Sequence, residues 1–178
     1  FSGGEPTLLG DGFIRLVEAA RDHLPMTKLH VLSNGRNFAS SDLTATVAEV
    51  RHPNLLFGVP LYADVARILD FVVQRDGAFI ETLDGLQNMQ RFGLRIELRV
   101  VLQKSTVLRL PRLAEFIARH LPFVEQVSLM GLETIGFAKP NLEDIWLDPC
   151  EWQAELKETV DVLRSASLDV AIFNHQLC

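Results

Sequence analysis

The chain opens with a short segment, Gly3-Gly4-Glu5-Pro6, whose residue types suit the binding of a small ligand. Two adjacent glycines allow a sharp turn and a close approach of the main chain to a ligand, and the proline fixes the backbone that follows. Glu5 adds a carboxylate. The segment is typical of the end of a strand, which is where α/β folds bind their ligands. The alternative is an ordinary turn with a solvated glutamate.

Other polar residues lie at or near the ends of further apolar segments. Ser33-Asn34-Gly35 follows one of them and is typical either of a binding loop or of a simple turn. Between residues 95 and 103, charged residues alternate with apolar ones. A charged side chain on an inward face must be paired or bind a ligand. Arg99 is therefore expected either to neutralise Glu97 or Glu133, or to hold an anionic ligand.

Several single residues are weaker candidates for contact with a substrate, because a lone polar residue near a strand end more often packs than binds. These are Tyr62, Glu133 and His175. Cys150 and Cys178 are the only cysteines, too few for a disulfide framework or a closed metal site. No metal site is therefore expected within the 178 residues. A cytoplasmic location is expected, because thiols stay reduced in that compartment.

Composition excludes several classes of function. The chain has 178 residues, enough for a single domain over residues 1–178, and 48% of them are hydrophobic. A net charge of −6 without a basic cluster argues against nucleic-acid binding. The apolar runs are of strand length, so no membrane span is expected, and no signal peptide is visible.

The periodicity of apolar residues predicts alternating strands and helices. Predicted strands are 29–32, 55–61, 95–103, 124–129 and 170–173, after an earlier strand that ends before Gly3. Predicted helices are 11–23, 40–50, 63–71, 78–92 and 110–121, with a last helix that opens at Asp148-Pro149. About six strands alternating with about five helices indicate a parallel sheet, either a doubly wound sheet or part of a barrel.

The opening segment resembles the Gly-Gly-Glu-Pro motif of the radical S-adenosylmethionine (SAM) enzymes. Leu32-Ser33-Asn34-Gly35 resembles the (Ser/Thr)-Asn-Gly strand end of the same family, and residues 70–79 resemble the loop that follows its fourth strand. The resemblance implies an α/β fold: a partial (β/α)6 TIM-like barrel with parallel strands, outer helices and the first βα unit missing.

The resemblance also implies an activity. Family members use a [4Fe–4S] cluster to cleave SAM, and the resulting 5′-deoxyadenosyl radical abstracts a hydrogen atom from the substrate. Carried over to this sequence, Gly3-Gly4-Glu5 would bind the amino group of SAM, and Ser33 and Asn34 its ribose. Arg99 would bind the carboxylate of SAM, for which a bidentate guanidinium group is suited.

Four further stretches are similar to the radical SAM maturase of His-Xaa-Ser systems, which are bacterial gene clusters. The resemblance implies a peptide or small-protein substrate with His-Xaa-Ser repeats, and other proteins of the same system as partners. The similar stretches are Val59-Pro60-Leu61-Tyr62-Ala63-Asp64, residues 99–104, residues 129–133 with Gly136-Phe137, and residues 173–178.

One motif of the family is absent from these 178 residues: the Cys-x3-Cys-x2-Cys triad that binds the cluster and precedes Gly-Gly-Glu-Pro. The chain is therefore expected to be an inactive fragment of an active parent. Its uncovered sheet edge is expected to cause self-association. The alternative interpretation is a non-catalytic peptide-binding or scaffold module on the same fold.

Overall fold

A computed structural model describes residues 1–174, apart from the side chain of Phe137. Within that range the strands are β1 (Leu29–Leu32), β2 (Leu55–Pro60), β3 (Arg95–Leu102), β4 (Gln126–Gly131) and β5 (Asp169–Phe173). The α-helices are α1 (Asp11–His23), α2 (Ser41–Glu49), α3 (Ala66–Val73), α4 (Ala78–Arg91), α5 (Leu110–His120), α6 (Leu142–Ile145) and α7 (Gln153–Ser165). Short 3₁₀ helices include Pro6–Leu9 and Arg36–Ala39.

The strands form one sheet in the order β1-β2-β3-β4-β5. β1 pairs in parallel with β2, with Val31 opposite Phe57. β4 pairs in parallel with β5, with Ser128 opposite Ala171. Parallel strands that follow each other in the chain need helical crossovers, and the helices between them provide these. The predicted parallel α/β architecture is confirmed.

The predicted strand before Gly3 is not a strand in the described residues, so the sheet has five strands rather than about six. Phe1 nevertheless pairs with β1 through its main chain. Its amino group donates to the carbonyl oxygen of His30 at 2.6 Å, and its own carbonyl accepts from the amide of Leu32 at 2.9 Å. Two such bonds that flank one residue are the pattern of a parallel pair.

The chain divides into two compact units. The first contains Phe1–Pro60 and Arg75–Glu97, and its core includes the aromatic pair Phe38 and Phe57, whose rings meet edge to face at 5.0 Å. The second contains Leu61–Gln74 and the residues from Leu98 onward. Its core is mainly aliphatic, with the buried indole of Trp152 as an exception, and it includes Leu98, Val100, Leu110, Leu113, Ile117, Val127, Leu129 and Leu163.

Several predicted boundaries need correction. The helix expected at 63–71 is α3, which starts at Ala66 because Val65 is still extended, and it ends where Gln74 takes a left-handed conformation at φ 56°. Asp148 caps as predicted, since its Oδ1 accepts from the amide of Cys150 at 2.9 Å. The residues after it first form a 3₁₀ helix, and the α-helix begins only at Gln153.

Along β3 the predicted alternation is confirmed, because the apolar side chains Ile96, Leu98, Val100 and Leu102 are all buried. None of the helices in residues 1–174 is both long and apolar enough to cross a bilayer.

Candidate functional site

The two glycines of the opening segment lie in the first unit, and their main chain is exposed. Gly3 and Gly4 have φ values of 96° and 59°, which side-chain-bearing residues rarely adopt. A Cβ atom built on either glycine would find no heavy atom within 4 Å. The backbone of this turn is therefore open, which the close approach of a ligand would require.

Glu5 follows the glycines, and its carboxylate is held by four hydrogen bonds. Oε1 accepts from the amide and the hydroxyl of Thr7, at 3.2 and 2.7 Å, and from the hydroxyl of Ser33 at 2.8 Å. Oε2 accepts from the amide of Asn34 at 2.7 Å. Since a carboxylate oxygen has two lone pairs, Oε2 keeps room for one further donor. A ligand that carries an ammonium group would supply such a donor.

The loop after β1 positions these donors. Ser33 is buried, and its hydroxyl also accepts from the amide of Gly35 at 3.1 Å. Asn34 makes the same kind of side-chain contact with the amide two residues later, because its Oδ1 accepts from the amide of Arg36 at 3.0 Å. Its Nδ2 donates to none of the described residues. Ser33 thus donates its only side-chain proton to Glu5, and the backbone amide of Asn34 also donates to Glu5. The side-chain nitrogen Nδ2 of Asn34 is then a donor of this loop that a ligand could use.

Helix α4 supports the same loop through one of its faces, which carries Thr82, Gly85 and Asn88. A Cβ atom at Gly85 would overlap the carbonyl oxygen of Gly35, so the loop lies directly on the helix backbone. Asn88 Nδ2 donates to the carbonyl oxygens of Phe38 and Ala39, both at 3.0 Å. The three helix residues are spaced at i, i+3 and i+6, and so they share one face.

Sequence reasoning missed two side chains of this site, Thr7 and Asn37. The hydroxyl of Thr7 donates to Glu5 and accepts from Asn37 Nδ2 at 2.8 Å, and Thr7 is buried. A signal for Thr7 existed, because a carboxylate at an N-cap accepts from residues two or three positions later. Asn37 had no such signal, since its contact spans 30 residues.

This arrangement fits the amino group and backbone of an amino-acid ligand such as the methionine part of SAM. A fixed carboxylate with a spare lone pair lies beside open glycine backbone, and two of the residues that hold it, Ser33 and Asn34, follow the carboxyl end of β1. The structure brings Gly3, Gly4, Glu5, Ser33 and Asn34 together in the first unit.

The other predicted residues belong to the second unit. Burial raises the pKa of Tyr62, and the positive charge of Arg99 opposes that rise. Glu133 is exposed, and its Oε1 accepts from Asn174 Nδ2 at 2.6 Å. His175 and Cys178 lie outside the described residues.

Glu97 belongs to the first unit, and the structure gives it a partner that sequence reasoning missed. Its Oε2 lies 2.8 Å from Nε2 of His30 on β1. Glu97 is buried, so its carboxylate lies away from solvent beside this imidazole. Among residues 1–174, no group of three or more His, Cys, Asp or Glu side chains is arranged to hold a metal ion.

Solved structures are similar to the chain over nearly its whole length. A domain of pyruvate-formate lyase-activating enzyme from Bacteroides vulgatus has a TM-score of 0.70 and 15% identity, over 97% of this chain and 96% of that domain. SuiB from Streptococcus suis bound to S-adenosylmethionine has a TM-score of 0.69 and 16% identity, over 99% of this chain and 38% of SuiB. SuiB bound to precursor peptide SuiA has a TM-score of 0.71 and 14% identity, over 99% of this chain and 37% of SuiB.

The chain shares their fold. This confirms the predicted fold class, an α/β domain with parallel strands and outer helices in the manner of a partial TIM-like barrel. At such low identity the likeness concerns the fold alone. The chain spans 38% of the length of SuiB, although it spans almost all of the Bacteroides domain. No protein-family model and no curated protein matches the sequence.

Proposed function

We propose that the chain is the SAM-binding core of a radical SAM enzyme that modifies a peptide. The observation that carries this proposal is the carboxylate of Glu5, which four hydrogen bonds fix beside the open Gly3-Gly4 backbone. A solvated turn glutamate would not need a buried serine from the end of β1 to hold it. The shared fold and the sequence resemblance support the same conclusion.

In this proposal each residue has a simple task. Glu5 Oε2 accepts a proton of the SAM ammonium group, while the Gly3-Gly4 backbone lies against the methionine part. Asn34 Nδ2 donates to the ribose, and Ser33 keeps Glu5 in place. Arg99 pairs with the SAM carboxylate, for which its forked donors are suited. When bound with a reduced [4Fe–4S] cluster, SAM supplies the 5′-deoxyadenosyl radical.

The proposed substrate is a peptide or small protein with His-Xaa-Ser repeats, with other His-Xaa-Ser system proteins as partners. Support comes from the four similar stretches of sequence and from SuiB, which has the same fold and has been solved with its precursor peptide SuiA.

The proposed enzyme is longer than these 178 residues. A [4Fe–4S] cluster of this kind needs three thiolates, and the chain has two cysteines. We place the cluster ligands elsewhere in the parent, which would act in the cytoplasm, where thiolates persist. The chain alone is expected to leave SAM intact.

The direct test is the formation of 5′-deoxyadenosine from SAM. The full-length parent would be reconstituted anaerobically with iron and sulfide and then reduced, with the 178-residue chain assayed beside it. We expect product from the parent and none from the chain. A parent that carries its cluster and still makes no 5′-deoxyadenosine would refute the proposal in favour of a binding module.

A second test addresses Glu5 itself. Glu5→Gln in the parent keeps the shape of the side chain but replaces an ion–ion contact with a neutral one, so SAM should bind about 10- to 100-fold more weakly, from the usual value of about 1.5–3 kcal/mol for a charged hydrogen bond. Isothermal titration with SAM measures this. Glu49→Gln, an exposed residue at the end of α2, is the matched control and should bind like the wild type.

A further inference from the structure

The second unit contains a cavity of about 320 Å³ at the carboxyl ends of three strands. Leu102 ends β3, Gly131 ends β4 and Asn174 follows β5, and all three residues line it. The carboxyl ends of parallel strands are the usual place for ligands in α/β folds. The volume is at the small end of the range for ligand pockets, which suits one side chain rather than a long segment.

The lining of this cavity favours a positively charged group. Glu133 is the only ionisable side chain among the described residues that line it. Trp146 and Trp152 supply aromatic surface, and indole rings are the strongest partners for cations in proteins. A carboxylate that shares a cavity with two indoles would repel an anion and would leave a purely apolar ligand beside a charge that it cannot pair with.

Glu133 is held in place for such a contact. Its Oε1 accepts a short hydrogen bond from Asn174 Nδ2, at 2.6 Å. Asn174 itself has a left-handed conformation, with φ 51°, which an asparagine tolerates better than most residues. This bond leaves Oε2 of Glu133 as the acceptor that a bound cation can use.

Gln103 indicates what else the ligand carries. Its Nε2 atom is buried and has no hydrogen-bond partner among the described residues, and Gln103 lines the same cavity. A buried donor without an acceptor is costly, so a ligand that brings one would be favoured. The carbonyl oxygen of a peptide bond is such an acceptor.

We propose that this cavity binds a positively charged side chain, a guanidinium or an ammonium group, of the peptide substrate. Glu133 pairs with the charge, the two tryptophans enclose the aliphatic stem, and Gln103 donates to a neighbouring peptide carbonyl. That this side chain belongs to a substrate rests on the function proposed above. The binding itself needs neither SAM nor a cluster, so it can be tested separately.

The chain carries its own reporter for this test, because both of its tryptophans line the cavity. Tryptophan emission of the 178-residue chain would be followed during titration with acetyl-Gly-Arg-Gly-amide. The matched probe is the same peptide with citrulline, which has the shape of arginine without its charge. We expect a saturable change with the arginine peptide that is at least about tenfold weaker with citrulline, because the charged hydrogen bond is lost.

Two variants separate the contributions. Glu133→Gln should weaken the arginine peptide about tenfold and leave the citrulline peptide unchanged, whereas Glu143→Gln, an exposed residue of α6 outside the cavity, should change neither. Gln103→Met should weaken the arginine peptide but not propylguanidine, which has no carbonyl group.

Equal affinity for arginine and citrulline peptides, or wild-type affinity in Glu133→Gln, would overturn the proposal, as would the absence of saturable binding. None of these results would bear on 5′-deoxyadenosine formation by the parent. Conversely, a parent without that activity would leave the cation site standing as a binding site.

Discussion

At the scale of single residues, Glu5 has more hydrogen-bond partners than a solvated turn glutamate needs. Its carboxylate accepts from Thr7 within its own turn. It also accepts from Ser33 and Asn34, which follow β1 and lie 28 and 29 residues further along the chain. These contacts hold an acceptor with one spare lone pair in a fixed position before a ligand arrives. Binding then avoids the cost of ordering that side chain.

Thr7→Val tests whether this fixation matters. The substitution keeps the shape of Thr7 but removes the hydroxyl that donates to Glu5 and accepts from Asn37, leaving the amide of Asn37 unpaired. We expect the free energy of unfolding to fall by about 1–2 kcal/mol and the affinity of the parent for SAM to fall several-fold. Chemical denaturation and SAM titration measure the two effects.

Thr46→Val is the matched control, because Thr46 is exposed on α2 and bonds only to a main-chain carbonyl of its own helix. It should leave SAM affinity unchanged. If Thr7→Val binds SAM like the wild type, Glu5 does not depend on this support.

Tyr62 provides a prediction about pH. Burial raises its pKa above the usual 10.0, so the folded chain keeps the phenolic proton at a pH where the unfolded chain has lost it. The unfolded state then binds fewer protons, and the free energy of unfolding should fall as the pH rises above 10.0 and through the folded pKa. Below that range the contribution is fully present.

Tyr62 is the only tyrosine, so the near-ultraviolet absorbance of phenolate follows this one group. Tyr62→Phe should remove its part of the pH dependence. Arg99→Met should raise the pKa of Tyr62 further, because the charge of Arg99 lowers it. A phenolate transition at the usual pH would contradict the burial of this side chain.

At the scale of elements, the sequence was sufficient wherever a local signal marks an end. Helix α1 begins and ends as predicted, and α4 is followed by Gly93 in a left-handed conformation. Helix α3 was misplaced because Gln74, rather than a glycine, takes the left-handed position after it. Sequence reasoning missed the partner of Glu97 because His30 is far from it in the sequence. The two residues come close only when β1 and β3 are assembled into the same sheet.

Gly85 on α4 carries the prediction at this scale. Gly85→Ala places a methyl group against the carbonyl oxygen of Gly35, so the loop with Ser33 and Asn34 must shift. We expect a loss of about 1–3 kcal/mol of stability, as for other overpacked sites, despite a gain of about 1 kcal/mol in helix propensity. Thermal unfolding followed by far-ultraviolet circular dichroism measures it.

Gly12→Ala in α1 is the control, since its added Cβ would meet only ordinary contacts, at 3.6 Å and beyond. It should stabilise the chain by roughly 0.4–1 kcal/mol, as glycine replacements in relaxed helices do. If both variants stabilise, the loop does not rest on α4 as described.

At the scale of the whole molecule, the described sheet ends in β5, whose Ile172 and Phe173 are 46% and 45% exposed. An edge strand with exposed apolar side chains pairs readily with another copy. We expect the 178-residue chain to self-associate at high concentration, and Ile172→Lys to suppress this. Light scattering coupled to size exclusion measures the mass.

Ile80→Lys is the control for that experiment, because Ile80 is 56% exposed on α4 rather than on a strand. Its mass profile should match the wild type. A monomer at every concentration would mean that the β5 edge is protected.

The distribution of chromophores has a consequence for folding studies of this chain. Both tryptophans and the only tyrosine belong to the second unit, so tryptophan emission and near-ultraviolet dichroism follow that unit alone, apart from the weak signal of phenylalanine. A single sharp fluorescence transition would therefore say nothing about the unit that holds Glu5. Coincident fluorescence and far-ultraviolet melting curves would show one cooperative transition, and separated curves would show that the units unfold one after the other.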